Sequence, residues 1–219
     1  QYLREPTARH MRQHQAFLDA YQGTADLAEL IERFRTLPMW LDLGELRVVH
    51  ACWDDLLMQA LLVNYPNLND YLDDDLLVKA SRKDALEHEA VEILLKGKEI
   101  KLPQGHSFLD KDGHARHAVR IRWFDADAIT YQAAFLGPEK ARSHIPEDPV
   151  GADHIIQYSH DDPPVFFGHY WLDGGPELLA PNVACLDYSV ASEDGGKLVA
   201  YRWDGEQRLD NGKFVSVER

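Results

Sequence analysis

Two histidines each follow an apolar, strand-like run: His50 comes after residues 46–49, and His169 comes after residues 165–168, which end in Gly168. A neutral imidazole is a good ligand for Zn, Mn or Fe, and a strand end holds it rigidly. The glycine allows another group to come close. A core histidine that donates to a backbone carbonyl gives the same pattern, so spacing alone leaves both interpretations open.

A catalytic metal needs more than two such residues, because it usually takes at least three protein ligands and keeps a position for water. The candidate carboxylates nearest to the histidines in sequence are Asp42, Asp54, Asp55 and Asp187. Asp187 stands inside an otherwise apolar run, where a buried charge requires a partner. It either orients a histidine from outside the ligand set or caps a neighbouring loop, and the loop cap is the simpler explanation.

Two cations in apolar surroundings could meet phosphate oxygens. Lys96 ends an apolar helical run, and Arg122 stands between apolar neighbours, from which its planar guanidinium could bind two oxygens at once. Each also has a structural explanation. A lysine at a helix C-terminus is favoured by the helix dipole, and an arginine can pair with one of the many acids.

Charge and composition narrow the function classes. A net charge of −14, from 37 acidic and 23 basic residues, disfavours a nucleic-acid polymer as partner but leaves room for a small phosphorylated substrate. The G-x-S-x-G, P-loop and G-x-G-x-x-G motifs are absent from the sequence. No apolar run approaches the roughly 18 residues of a membrane span, and no signal peptide is visible, so we expect a cytoplasmic protein. Cys52 and Cys185 are expected to be reduced core residues.

The order of the predicted elements is helices first and strands later. Residues 98–118 are loop-like, and residues 137–163 have the character of a surface insertion that would carry specificity. Gly44-Glu45 separates two apolar runs and predicts a β-hairpin. The predicted helices are residues 7–21, 54–63, 73–81 and 84–95, with a further helix that Thr24 or Asp26 caps and Pro38 ends. The predicted strands are residues 39–43, 46–50, 119–123, 163–171, 182–188, 197–203 and 207–209, and the last strand resumes at 213–217.

Several segments resemble calcineurin-like metallophosphoesterases, most closely the bacterial branch related to diadenosine tetraphosphatases and serine/threonine phosphatases. The likeness is clear over residues 26–54 and 163–205 and weaker between them. The segments that carry it are Leu-Pro-Met-Trp-Leu-Asp (37–42), Val-Val-His-Ala-Cys-Trp-Asp (48–54), Val-Phe-Phe-Gly-His (165–169), Val-Ala-Cys-Leu-Asp-Tyr-Ser (183–189) and Gly-Gly-Lys-Leu-Val-Ala-Tyr-Arg (195–202).

The resemblance implies a four-layer α/β/β/α sandwich with two divalent ions (Mn, Fe, Zn or Ni) held between the sheets. In that arrangement His50 and His169 would bind the second ion, with Gly168 and Asp187 supporting them. Many relatives carry a further histidine at the position of Trp171. Members similar to phosphoprotein phosphatases lack it, as this chain does.

Three motifs of the family have no counterpart here: Asp-x-His, Gly-Asp-x-x-Asp-Arg-Gly and Gly-Asn-His-Glu. The catalytic histidine is therefore unknown, and residues 1–219 are interpreted as the C-terminal part of one α/β (α+β) domain, with N-terminal helices followed by a mixed, mostly antiparallel sheet. Such a part would be inactive alone. It would also expose an apolar sheet face, which upstream residues or a second copy would cover.

The sequence thus predicts a metal-dependent phosphohydrolase that acts on a phosphomonoester or a dinucleoside polyphosphate, with a small phosphorylated compound or a phosphoprotein as substrate. A second hypothesis stays open: a non-catalytic binding or scaffold module built on a degenerate form of the same fold.

Overall fold

The computed structural model describes residues 3, 7–109, 114–151, 156, 158–192 and 195–219. The chain divides into two compact units. The helical unit consists of Gln1–Met39 and Asp55–Val91, and the sheet unit consists of Trp40–Asp54 and Glu92–Arg219.

The helical unit contains the predicted helices. They are α1 (Ala8–Tyr21), α2 (Asp26–Arg35), α3 (Asp55–Asn64), α4 (Asp74–Ala80) and the first turns of α5 (Leu86–Lys96). Thr7 caps α1 by accepting a hydrogen bond from the backbone N–H of His10 at 3.2 Å. The predicted side-chain cap of α2 is wrong: Ala25 precedes that helix, and the Thr24 hydroxyl instead donates to the Tyr21 carbonyl at 2.8 Å.

A four-stranded sheet lies at the centre of the sheet unit, with the strand order β1 (Trp40–Asp42), β2 (Arg47–Val49), β7 (Val165–Phe167) and β8 (Val183–Cys185). β1 and β2 form the predicted antiparallel hairpin, whose turn contains Gly44 at φ 79°. β2, β7 and β8 run parallel. Their carboxyl ends therefore meet at one edge of the sheet, and β7 and β8 are buried throughout, as strands inside a parallel sheet usually are.

Smaller antiparallel sheets complete this unit. One contains β9 (Asp187–Tyr188), β10 (Lys197–Tyr201) and β11 (Phe214–Glu218), and the others pair β3 (Glu99–Lys101) with β6 (Ala118–Arg120) and β4 (Phe108–Leu109) with β5 (Ala115–Arg116). Two short helices, α6 (Tyr131–Ala134) and α7 (Glu139–Arg142), lie between β6 and β7 in sequence. In the described part of the chain the fold is thus mixed α/β with several small sheets, and none of them closes into a barrel.

A polar cluster joins the end of β10 to the start of β11. The Glu206 carboxylate accepts from the Tyr201 hydroxyl at 2.8 Å, from the Lys213 ammonium at 2.8 Å and from the Asp204 backbone N–H at 2.9 Å. All the oxygens of this carboxylate therefore have donors. We call these four residues the Glu206 cluster.

The outer face of the β10–β11 ladder is apolar and exposed. Leu198 and Val217 are register partners, and Val215 follows on the same face. The three side chains are 62%, 65% and 59% exposed, respectively. An uncovered apolar sheet face was expected from the sequence, and its covering by a second copy stays a prediction.

Several predicted boundaries are wrong. The single strand expected over residues 182–188 is two strands, β8 and β9, which separate at Leu186 and join different sheets. The strand expected over 163–171 is regular only at Val165–Phe167, because His169 and Trp171 adopt positive φ values of 75° and 54°. Residues 98–118, expected to be a loop, contain β3, β4 and β5, and α6 was not predicted.

Other predicted elements agree with the structure only in part. β6 ends at Arg120, earlier than expected. Residues 207–209 do not form a strand, whereas the resumed strand expected at 213–217 is β11. Of the insertion expected at 137–163, residues 152–155 and 157 lie outside the described residues, as do residues 110–113 of the 98–118 segment. Within the described ranges, no helix has both the length and the apolarity that crossing a membrane requires.

Candidate functional site

The structure brings the two predicted histidines together at the carboxyl edge of the central sheet. His50 is the first residue after β2, and His169 lies two residues after the end of the neighbouring parallel strand β7. The centroids of their imidazole rings are 5.1 Å apart, and the ring planes meet at 58°. Two imidazoles at this separation can contribute to one site. We call them the histidine pair.

The His50 side of the pair is anchored by a buried backbone. The carbonyl of Ala51 accepts two hydrogen bonds from buried aromatic side chains, at 3.2 Å from the Trp123 indole and at 3.1 Å from the Tyr170 hydroxyl. The backbone N–H of Ala51 donates to the Leu94 carbonyl at 3.0 Å. His50 itself is exposed, so it is an accessible side chain on a fixed backbone.

Gly168 connects the two histidine loops. Its backbone N–H donates to the His50 carbonyl at 2.9 Å. A Cβ at this position would lie 3.5 Å from the Asp187 Cβ and 3.8 Å from the His50 carbonyl oxygen, which are ordinary contact distances. The close approach expected from the sequence is therefore made by these two neighbours, and space alone does not require glycine.

Asp187 holds the backbone on the His169 side. One carboxylate oxygen accepts from the Trp171 N–H at 3.2 Å and the other from the Ser189 N–H at 3.1 Å. Its carbonyl also accepts from the Leu172 N–H at 3.0 Å. These bonds are of the loop-capping kind that the sequence left open, and they position the segment that carries His169.

The backbone around His169 is strained. His169, Trp171 and Ser189 all have positive φ values, of 75°, 54° and 59°, although none of them is glycine. Each such residue costs on the order of 1–3 kcal/mol and persists only where its surroundings impose it. Strain of this kind is concentrated at functional sites, so its position beside the histidine pair supports a functional assignment.

His169 is also electrostatically unusual. Burial lowers the pKa of its imidazole to about 4, the charges of Arg120 and His50 act in the same direction, and the Asp187 carboxylate opposes them. The ring is therefore neutral at pH 7. Its Nε2 atom is buried and has no hydrogen-bond partner among the described residues. A buried polar atom without a partner is uncommon in a native protein, and an ordered water or a bound ion would satisfy this one.

These observations fit part of a metal site. A neutral imidazole presents one ring nitrogen with a lone pair, and two such rings side by side can supply two ligands. In the described part of the chain, no group of three or more His, Cys, Asp or Glu side chains is arranged to hold a metal. Of the candidate carboxylates, Asp42 pairs with Arg47 at 3.3 Å, and Asp55 begins α3.

The two predicted phosphate contacts both have structural partners. Lys96, in the last turn of α5, forms an ion pair with Glu92. Arg122 donates from Nε to Asp125 at 3.0 Å and from Nη2 to the Leu179 carbonyl at 3.0 Å. The structural explanation therefore accounts for both side chains as they stand, and their role towards phosphate stays a prediction.

A cavity of about 660 Å³ in the sheet unit was not predicted from the sequence. His169 and Trp171 line it, together with basic and aromatic side chains from segments between residues 99 and 144. The sequence signal was a slight excess of basic over acidic residues in a region that also contains three phenylalanines, within an acidic chain. Such a signal is weak, because β3, β5, β6 and α7 are brought together only by tertiary packing.

Comparisons of this chain with protein-family models, with curated proteins and with solved structures find no match. The likeness to metallophosphoesterases therefore rests on the residues of the chain itself, and the fold is described by its own topology.

The cysteines are free and buried. Burial raises the pKa of the Cys52 thiol well above its ordinary range and that of the Cys185 thiol to about 12. Both thiols are therefore protonated at neutral pH, as expected for core residues, and neither is a nucleophile.

Proposed function

We propose that the sheet unit supplies one wall of a metal-dependent phosphohydrolase site, in which His50 and His169 hold one of two divalent ions. The remaining ligands and the catalytic histidine belong to motifs that the sequence of this chain lacks. Mn, Fe, Zn or Ni would suit imidazole and carboxylate ligands. The finer architecture, a four-layer α/β/β/α sandwich, is part of the same proposal.

The observation that supports this function is the meeting of the histidine pair at the carboxyl edge of parallel strands. Ligands of open α/β sheets bind in the crevice at this edge. His50 and His169 come from separate strands, their rings are 5.1 Å apart, and His169 Nε2 is buried without a partner in the described structure. A pair of core histidines with purely structural roles would instead donate to backbone carbonyls.

The residues of this chain would do three things in the reaction. The histidine pair would bind an ion, and Asp187 would keep the His169 loop in its positive-φ conformation through the bond to Trp171. The buried strands β7 and β8 would give the site a rigid floor. Divalent ions bound there would supply Lewis acidity for attack of water on a phosphoester.

The test is metal content and phosphatase activity of the longest natural product that contains this chain. We expect a bound divalent ion and phosphatase activity, both lost when His50 and His169 are replaced together by alanine. A variant that replaces the exposed residues His106 and His160 is the matched control and should keep both properties.

Two outcomes would contradict the proposal. Activity retained in the variant without His50 and His169 would remove the metal assignment. Metal binding without phosphatase activity would favour the second hypothesis, a binding or scaffold module.

A further inference from the structure

We infer that the cavity beside His169 binds a small organic phosphate ester that carries an aromatic group. That the anion is a phosphate rests on the proposed function, since His169 belongs to the histidine pair and also lines the cavity. The cationic and aromatic lining is independent of that function.

The first observation is charge. The cavity is lined by three cations, Arg116, Arg120 and Lys140, against one carboxylate, Glu99. The whole chain has a net charge of −14, so this excess of positive charge is local and opposes the rest of the protein. A cleft that concentrates one sign of charge attracts ligands of the opposite sign. The ligand class is therefore anionic.

Glu99 does not neutralise this lining. Its carboxylate lies 3.6 Å from a nitrogen of Arg116 and 3.7 Å from Nε of Arg120, so one acid is shared between two guanidinium groups. Lys140 forms no ion pair with any residue in the described ranges, and its side chain is exposed. Lys140 is therefore the cation most available to a ligand.

The second observation is the aromatic part of the lining. The Phe108 and Phe135 rings are 6.0 Å apart and nearly perpendicular at 75°, and Phe108 and Trp171 are partly exposed, whereas Phe135 and Tyr170 are buried behind them. Phe108 and Trp171 come from segments far apart in sequence, so this surface is assembled by the fold. A flat apolar group of a ligand would bury its area against these rings.

The third observation is size. The cavity volume of about 660 Å³ lies within the range of roughly 300–1,000 Å³ that is typical of small-molecule sites. An inorganic phosphate ion would leave most of this space unfilled. An organic ester would use both the cations and the rings, and its phosphate would lie towards Arg116 and Arg120, the two guanidinium groups that share Glu99.

The test uses the whole chain, with metal removed by EDTA, and three probes that cannot be hydrolysed. Phenylphosphonate carries both an anion and a ring, methylphosphonate carries the anion alone, and benzamide carries a ring without charge. Isothermal titration calorimetry should show phenylphosphonate binding at least about tenfold more tightly than either of the others, because burial of a ring contributes on the order of one tenfold step or more. Because this comparison uses only the wild-type chain, its result does not depend on whether a variant folds.

Two substitutions locate the probe. Lys140→Gln should weaken phenylphosphonate binding by about three- to tenfold and reduce its dependence on salt. Phe108→Ala should remove most of the preference for phenylphosphonate over methylphosphonate. Arg202→Gln is the matched control, because it removes an exposed cation that is not part of the lining, and it should leave binding unchanged.

Equal affinity for the two phosphonates, absence of phenylphosphonate binding, or insensitivity to both Lys140→Gln and Phe108→Ala would overturn the inference. Because the measurement excludes metal and turnover, its outcome is separate from that of the phosphatase assay. Binding that follows the expected pattern, together with an inactive longest product, would contradict the proposed function and leave the cavity assignment standing.

Discussion

His169 and Glu206 both titrate far from their ordinary ranges, but for opposite reasons. Burial, with help from Arg120 and His50, lowers the pKa of His169 to about 4, and its Nε2 atom has no partner in the described structure. Burial alone would raise the pKa of Glu206, but hydrogen bonds from Lys213, from the Asp204 backbone and from Tyr201 lower it to about 2.

The difference shows which kind of perturbed group indicates a site. The Glu206 cluster is closed, since every carboxylate oxygen has a donor within the chain. The histidine pair is open, since the Nε2 atom of His169 is buried and has no hydrogen-bond partner among the described residues. A shifted pKa alone therefore does not identify a functional residue, whereas a shifted pKa with an unsatisfied atom and a strained backbone points to one.

The two regions also differ in the space around their glycines. At Gly196, which precedes β10, a Cβ would lie 1.8 Å from the Ser189 carbonyl oxygen. We expect Gly196→Ala to destabilise the protein by about 4 kcal/mol or more, because neither backbone segment can move without breaking the β9–β10 pairing. Chemical denaturation measures this loss. A loss below about 1 kcal/mol would mean that the backbone at Gly196 and Ser189 can separate to admit a side chain.

Substitution of Asp187 should cause the next largest loss of stability, because this residue belongs to β9 and also holds the His169 loop. Asp187→Ala leaves the N–H groups of Trp171 and Ser189 without their acceptor, which should cost about 2–3 kcal/mol of unfolding free energy. Asp187→Asn keeps an acceptor oxygen and should cost less. Equal losses for the two substitutions would argue that the carboxylate acts by charge rather than by these two bonds.

The Glu206 cluster predicts a pH dependence. The lowered pKa of Glu206 means that its stabilisation is fully present above its ordinary value of 4.5 and is lost as pH falls towards 2. Glu206→Gln should therefore cost about 1–2 kcal/mol at neutral pH and lose less stability than the wild type between those pH values. Unfolding curves recorded across that window check this. Parallel losses in both proteins would show that the bonds to Lys213 and Tyr201 do not favour the ionised form.

The smallest effect is expected at Gly168. Its substituted Cβ would meet the Asp187 Cβ at 3.5 Å and the His50 carbonyl at 3.8 Å, so Gly168→Ala should change the unfolding free energy by less than about 1 kcal/mol. Gly168→Ala and Gly196→Ala add the same methyl group, at Gly168 where there is space for it and at Gly196 where there is none. A loss as large as that of Gly196→Ala would contradict the distinction between them.

Sequence reasoning predicted what local patterns encode. The hairpin at Gly44 follows from turn chemistry, and α1 to α5 follow from helical spacing. The nearness of His50 and His169 was expected, because each follows an apolar run and the resemblance implied that both bind the same ion. The parallel pairing of the two strands was not predicted.

What could not be predicted depends on distant packing. β8 and β9 separate at Leu186 without a glycine or proline to mark the break. The positive φ of His169 is likewise not encoded by its residue type, and it occurs in a loop that Asp187 holds through the Trp171 N–H. The cavity is lined by elements of only a few residues, which are too short to show a hydrophobic period in the sequence. The sequence therefore did not indicate that the cations of these elements lie together.

Calorimetric titration of Mn²⁺ or Zn²⁺ into the purified chain at neutral pH measures whether His50 and His169 together bind a divalent ion. We expect weak but measurable binding, since only two ligands of the set are identified. Replacing both histidines by alanine should lower the affinity at least about tenfold, because loss of even an outer-shell partner costs about 10–100-fold. The control with His106 and His160 replaced should bind as the wild type does. Equal affinity in the wild type and in the variant without His50 and His169 would contradict the claim.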